Sequence, residues 1–156
     1  MAHEAPFAAP AERTGPRILI VRLSALGDVI HGLPVLNALR AAFPDAFLAW
    51  VCEPLGASLL RGHEALDRLV EVPRGWLKRP GRVWQLARDL RALRFDTAID
   101  LQGLTKSALA GWLSGARLRI GFAGADGREL SSWCNNRLVA PTATHVVDRN
   151  LQLLVP

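Results

Sequence analysis

Asp28 closes the run Ser24-Ala25-Leu26-Gly27 and stands three residues ahead of His31. A carboxylate at such a turn can take a proton from a hydroxyl, and an imidazole three residues further along a helix can face and orient it. Gly27 lets the backbone turn closely, and Ser24 and Gly27 rank with His31 as supporting residues of this candidate base. The same residues admit a plainer account, in which Asp28 is a helix N-cap that suits the helix dipole and His31 caps local structure. A second polar cluster is Asp100-Leu101-Gln102-Gly103-Leu104-Thr105-Lys106-Ser107, where the Lys106 ammonium either holds an anion or is simply solvated. Arg128 and Glu129 follow the loop Gly121-Phe-Ala-Gly-Ala-Asp-Gly127, which suits the edge of a ligand site, with an exposed ion pair as the alternative. In Arg74-Gly-Trp-Leu-Lys-Arg-Pro-Gly-Arg-Val-Trp84, the cations Arg74, Lys78 and Arg79 are interleaved with Trp76, Leu77 and Trp84. That mixture can grip phosphates while resting on a lipid–water boundary, although most charge runs are only solvated faces.

Several chemistries are disfavoured by what the 156-residue chain lacks. No G-x-G-x-x-G dinucleotide fingerprint and no G-K-[ST] phosphate loop occurs. Asp96 and Asp100 are too far apart along a strand to chelate one metal. Cys52 and Cys134 fit neither a metal cluster nor a disulfide framework, so a reducing cytoplasm is the simplest compartment. No stretch reaches the roughly 18 apolar residues needed to span a bilayer, so the expectation is a soluble or peripheral protein. The net charge of +5 is uneven: residues 74–94 hold seven cations against Asp89 alone, a local +6 that leaves −1 for the rest. A patch of this kind suggests a particular anionic partner; no nucleic-acid motif accompanies it, and no nucleic-acid role is expected.

These groups need elements to position them. Arg17–Arg22 is a short, branched, apolar run of the kind found in a parallel strand buried on both faces. Phe47–Cys52, Arg68–Val72, Thr97–Leu101 and Arg117–Phe122 read as further strands. Helices are expected from Asp28 to about Phe43 with a kink at Pro34, through Val83, Leu86, Leu90 and Leu93, over Ser107–Leu113, over Glu129–Cys134, and from His145. Alternation of strands and helices predicts an α/β fold with a doubly wound parallel sheet, whose ligand crevice lies at the carboxyl ends of the strands. Residues 1–16 read as a flexible leader and residues 17–156 as one Rossmann-like domain, with Pro156 ending the chain at a domain boundary.

Taken in order, these segments resemble glycosyltransferase family 9, the ADP-heptose:lipopolysaccharide heptosyltransferases, type I in particular. The resemblance rests on Ile20-Val-Arg-Leu-Ser-Ala-Leu-Gly-Asp-Val-Ile-His-Gly-Leu-Pro34, on Ile99-Asp-Leu-Gln-Gly-Leu-Thr-Lys-Ser-Ala108, on Arg128-Glu129 with Asn135-Asn136-Arg137, and on His145-Val-Val-Asp-Arg-Asn150. It covers roughly residues 17 to 154. It implies the N-terminal, acceptor-binding half of a GT-B enzyme, with Asp28 as general base for inverting transfer. Lys106, Arg128 and Gln102, with Arg74, Lys78 and Arg79, would meet a phosphorylated Kdo-lipid A acceptor. It further implies a metal-independent reaction and no cofactor, the donor ADP-heptose being held by a donor-binding domain, supplied in cis or in trans, that this chain is expected to lack. The location implied is cytoplasmic, peripheral on the anionic inner-membrane surface. A different class of function, a non-catalytic module that binds an anionic glycolipid or partners a separately encoded donor domain, uses the same acceptor site.

Overall fold

The computed structural model describes residues 13–124 and 130–155. Its strands are β1 (Arg17–Val21), β2 (Phe47–Cys52), β3 (Arg68–Glu71), β4 (Thr97–Asp100), β5 (Leu118–Phe122) and β6 (Arg137–Val139). The helices are α1 (Leu26–Ala42), α2 (Pro54–Leu60), α3 (Pro80–Ala92), α4 (Thr105–Leu113), α5 (Ser131–Cys134) and α6 (Val146–Gln152), with a 3-10 turn at Trp76–Lys78. All strand pairs are parallel, in the order β3-β2-β1-β4-β5-β6. This is the doubly wound order, and the reversal between β1 and β4 opens the crevice expected of such sheets.

Alternation along the central strands explains why both faces are covered. Ile18 and Ile20 of β1 and Leu48 and Trp50 of β2 point into one core with Val29, Val35, Leu36 and Leu39 of α1. Leu19, Val21, Phe47, Ala49 and Val51 point into the other with Leu86 and Leu90 of α3 and Ala110 and Leu113 of α4. Buried faces on both sides are why these strands read as continuous apolar runs rather than alternating ones. α1 lies close on the sheet because Gly32 has no side chain: a Cβ there would come within 2.7 Å of the Trp50 ring.

Some boundaries differ from expectation. α2, β6 and the 3-10 turn were not anticipated, each being short and carrying little periodic signal. α1 begins at Leu26 with Ala25 as its N-cap, so Asp28 is the third residue of the first turn rather than the cap. Pro34 lies inside α1, which runs through it to Ala42 as one helix. Of the segment read as leader, residues 1–12 fall outside the described residues, whereas residues 13–16 are tied down. Arg13 pairs with Asp67 at 2.9 Å, and the Gly15 amide donates to the Asp45 carbonyl at 3.0 Å.

Candidate active site

Three chain segments leave the carboxyl edge of the sheet side by side. From β1 come Arg22, Ser24, Ala25 and Asp28; from β4 come Leu101, Gln102 and Leu104; α6 closes the far side with Val146, Arg149 and Asn150. With Phe122 they line a cleft of about 460 Å³. The β1–α1 turn is stitched to the β4–α4 turn, since Gln102 Oε1 accepts from the Leu23 amide at 2.9 Å. It is stitched to β2 as well, since the Glu53 amide donates to the Leu23 carbonyl at 2.9 Å. α6 is anchored over α1 by Asn150, whose Nδ2 donates to the His31 carbonyl at 3.2 Å.

Asp28 is the most exposed acid of this group, its side chain 42% accessible. Its Oδ2 faces Arg22 Nη2 at 2.7 Å and accepts from the Ala25 amide at 3.4 Å. Its Oδ1 is left without a hydrogen bond among the described residues. Burial alone would raise this carboxyl, but the hydrogen bond and charge of Arg22, with the Ala25 amide and His31, hold it below the usual carboxylate range. His31 is not its hydrogen-bond partner: among the described residues the imidazole Nδ1 is buried without one, and its influence on Asp28 is through charge alone. The expected Asp28–His31 contact therefore gives way to Asp28–Arg22. Three residues along a helix bring two side chains near, but the end of β1 brings a longer and always charged one nearer.

Lys106 projects from the first turn of α4, 3.4 Å from Ser24 Oγ and 3.3 Å from Glu53 Oε1. Its side chain remains 31% accessible, so a cation, a hydroxyl and a carboxylate meet beside the Asp28 turn. Gln102 lines the cleft with its Oε1 committed to the backbone and its Nε2 making no hydrogen bond among the described residues. Behind them Asp100 is 1% exposed and accepts from the Gln102 and Gly103 amides, both at 3.0 Å, and from Asn135 Nδ2 at 3.2 Å. No cation pairs with it among the described residues, and burial pushes its carboxyl above the usual range despite those donors and Ser107.

Other expected residues lie apart from the cleft or outside view. Arg128 falls outside the described residues. Arg74, Lys78 and Arg79 are exposed on the connection after β3, at the same edge of the sheet, but none lines the cleft. Trp76, expected at a lipid boundary, is instead a core residue 2% exposed, while Trp84 and Leu77 are 65% and 39% exposed. The 3-10 turn drives Trp76 inward against the core below α3, which the cation-rich sequence around it does not signal. Cys52 is buried and its thiol is pushed up to about 12, and both cysteines are free. Among the described residues no three His, Cys, Asp or Glu side chains gather as a metal site would require.

Arg22, Glu53 and Arg149 were not singled out from the sequence. Arg22 and Glu53 share a signal that could have found them: each is the charged residue that directly follows an apolar strand, where chains leave a parallel sheet at its ligand-binding edge.

Residues 83–156 match glycosyltransferase family 9 (heptosyltransferase). Over 152 residues the chain is 36% identical to lipopolysaccharide heptosyltransferase 1 of Pseudomonas aeruginosa, with 88% of this chain and 41% of that protein aligned. The similarity of this chain is thus to glycosyltransferase family 9. The corresponding enzyme of Salmonella typhimurium is 31% identical over 146 residues, covering 88% of this chain and 46% of that one. The structure of E. coli heptosyltransferase WaaC with ADP superposes with a TM-score of 0.76 at 35% identity, over 89% of this chain and 46% of that chain. A family 9 glycosyl transferase from Veillonella parvula shares the fold, with a TM-score of 0.78 at 23% identity over 90% of this chain and 41% of that one. The chain thus spans less than half the length of these family 9 relatives, and its Rossmann-like sheet is of the type found in GT-B heptosyltransferases.

Proposed function

We propose that this chain is the acceptor-binding half of an inverting heptosyltransferase, with Asp28 as general base. The observation that carries this reading is the division of the Asp28 carboxylate. Oδ2 is held by Arg22 and Ala25, while Oδ1 has no hydrogen bond among the described residues, beside a polar cleft at the β1–β4 switch point. In the proposed reaction Oδ1 removes the proton of an acceptor sugar hydroxyl as its oxygen attacks the anomeric carbon of ADP-heptose. The new C–O bond forms on the face opposite the nucleotide, the bond to the diphosphate breaks, and ADP leaves with that electron pair. A base acting in this way has only to capture one proton as the hydroxyl becomes nucleophilic, and its lowered proton affinity keeps it ionised beforehand. No resident metal or cofactor is required by this scheme, and the nucleotide sugar is placed by a donor-binding domain.

The acceptor in this proposal is phosphorylated Kdo-lipid A, whose phosphates and carboxylates suit Lys106, Arg128 and the Gln102 amide. Arg74, Lys78 and Arg79 are the outer cations that would meet the same anionic molecule and the anionic inner-membrane surface carrying it. The support for Lys106 is its place within hydrogen-bond reach of Ser24 and Glu53 next to the Asp28 turn. No described helix is long and apolar enough to cross a membrane. In this proposal those outer cations attach the protein to the cytoplasmic face of the inner membrane.

The test is Asp28→Asn in a form carrying a donor-binding domain. Transfer should fall by about 10²–10⁴, the usual cost of removing a positioned base, with acceptor affinity kept within several-fold. Near-normal turnover would return Asp28 to a purely structural part of the α1 first turn.

A further inference from the structure

We propose that Arg22 is a positioning residue for this reaction, clamping one oxygen of Asp28 so that the other is presented to the acceptor hydroxyl. The proposal rests on the reading of Asp28 as the base and adds how that base is held. Arg22 is the first residue beyond β1 and is fixed by three neighbours. Its carbonyl accepts from Trp50 Nε1 at 3.1 Å, its amide donates to the Val51 carbonyl at 3.4 Å, and its Nη1 donates to the Leu101 carbonyl at the end of β4. Nη2 then reaches Asp28 Oδ2 at 2.7 Å. The guanidinium therefore bridges the two strands that flank the crevice to the first turn of α1.

Stability alone is a poor account of this arrangement. The Arg22 side chain is only 12% exposed and its Nε is buried without a partner among the described residues, an arrangement that costs free energy. Its acidic partner is 42% exposed, and ion pairs with so solvated a member contribute little to folding. What the geometry does supply is direction. A planar guanidinium donating from two fixed nitrogens can tie a carbonyl and a carboxylate at once and set the rotation of the carboxylate, whereas an ammonium offers a point charge without that fork. It also supplies charge at the oxygen that does not react, which keeps the base ionised at lower pH. The other charged or titratable groups around Asp28 are His31 on α1, Arg149 of α6 across the cleft, and Lys106 of α4 beyond Ser24. All three stay constant in the variants below.

The experiment compares wild type, Arg22→Gln, Arg22→Lys and Asp28→Asn. The Asp28 carboxyl is titrated by carbon-13 NMR in the 156-residue chain, and the pH profile of kcat is recorded in a form carrying a donor-binding domain. In Arg22→Gln the Asp28 midpoint and the acid limb of kcat should both move to higher pH. kcat at its plateau should fall by about 10–100-fold, the scale of a small misplacement of a reacting group, with acceptor KM little changed. Arg22→Lys should keep the midpoint near that of wild type yet recover only part of kcat, which separates charge from orientation. The amide spectrum reports folding, and if Arg22→Gln does not fold, Arg22→Lys decides: full wild-type kcat overturns the proposal. An unmoved Asp28 midpoint in folded Arg22→Gln overturns it too. Should that occur while Asp28→Asn is inactive, only the role of Arg22 fails; an active Asp28→Asn removes the base itself.

Discussion

Two aspartates stand at the ends of neighbouring strands, Asp28 on the turn after β1 and Asp100 at the end of β4, and their surroundings differ in kind. Asp28 is open to the cleft, paired with a cation, and held below the usual carboxylate range. Asp100 is sealed beneath the β4–α4 turn, receives backbone and amide donors, and is held above that range by burial. The first arrangement leaves one oxygen without a hydrogen bond among the described residues. The second spends its described contacts on the backbone of the loop from which Gln102 and Lys106 project and on Asn135 after α5. A carboxylate at the ligand edge of a parallel sheet is thus a candidate for chemistry only when its acceptor capacity is left over.

The largest effect on folding should come from breaking the buried member. Asp100→Ala leaves the Gln102 and Gly103 amides and Asn135 Nδ2 without their acceptor, at a cost of about 1–3 kcal/mol, while Asp28→Ala costs less. Denaturant unfolding of both variants measures the contrast, and equal losses would dissolve it. The pH dependence has a definite sign. Because the folded chain raises the Asp100 carboxyl, it binds that proton more tightly than the unfolded chain does. Stability from this group is therefore present at low pH and lost as pH rises from the unfolded value through the folded one. Asp100→Asn should remove that decline, a result read by repeating the denaturation across acidic to neutral pH.

A smaller effect is expected at the loop that Asp100 supports. Lys106→Ala should weaken a phosphorylated acceptor by about tenfold, the scale of one hydrogen bond to a charged group, and a dephosphorylated acceptor much less. Equal losses for both acceptors, measured by calorimetry, would make Lys106 a structural partner of Glu53 like the groups around Asp100.

Much of this organisation was legible in the residues. The β1 and β2 runs are apolar because both sheet faces are covered, and that made the parallel sheet and its crevice readable from the residues alone. Asp28, Lys106 and Gln102 fell at that edge for the same reason. The partner of Asp28 was not legible, because helical spacing favours His31 whereas the actual partner, Arg22, is selected by the packing of β1 against β2 and β4. Trp76 misled in the same way: local composition placed it at a surface, and a 3-10 turn that sequence periodicity does not report turned it inward. Asp28 as third residue of α1 rather than its cap shifts the boundary by three positions without moving the residue from the edge.

The smallest effects belong to the exposed cations beyond the cleft. Arg79→Ala should lower partitioning onto anionic vesicles by no more than about fivefold, corresponding to roughly 1 kcal/mol for a basic residue at the surface. Raising the ionic strength should release the wild-type chain. Co-sedimentation indifferent to both salt and anionic lipid would leave the Arg74–Arg94 face simply solvated.

The contrast between the two aspartates is tested most directly by one single-turnover measurement of heptose transfer. Asp28→Asn and Asp100→Asn are compared in a form carrying a donor-binding domain, with acceptor and donor saturating. The account predicts a loss of about 10²–10⁴ in Asp28→Asn and a rate within several-fold of wild type in Asp100→Asn, both proteins being folded. A rate near wild type for Asp28→Asn, or a collapse confined to Asp100→Asn, would contradict it.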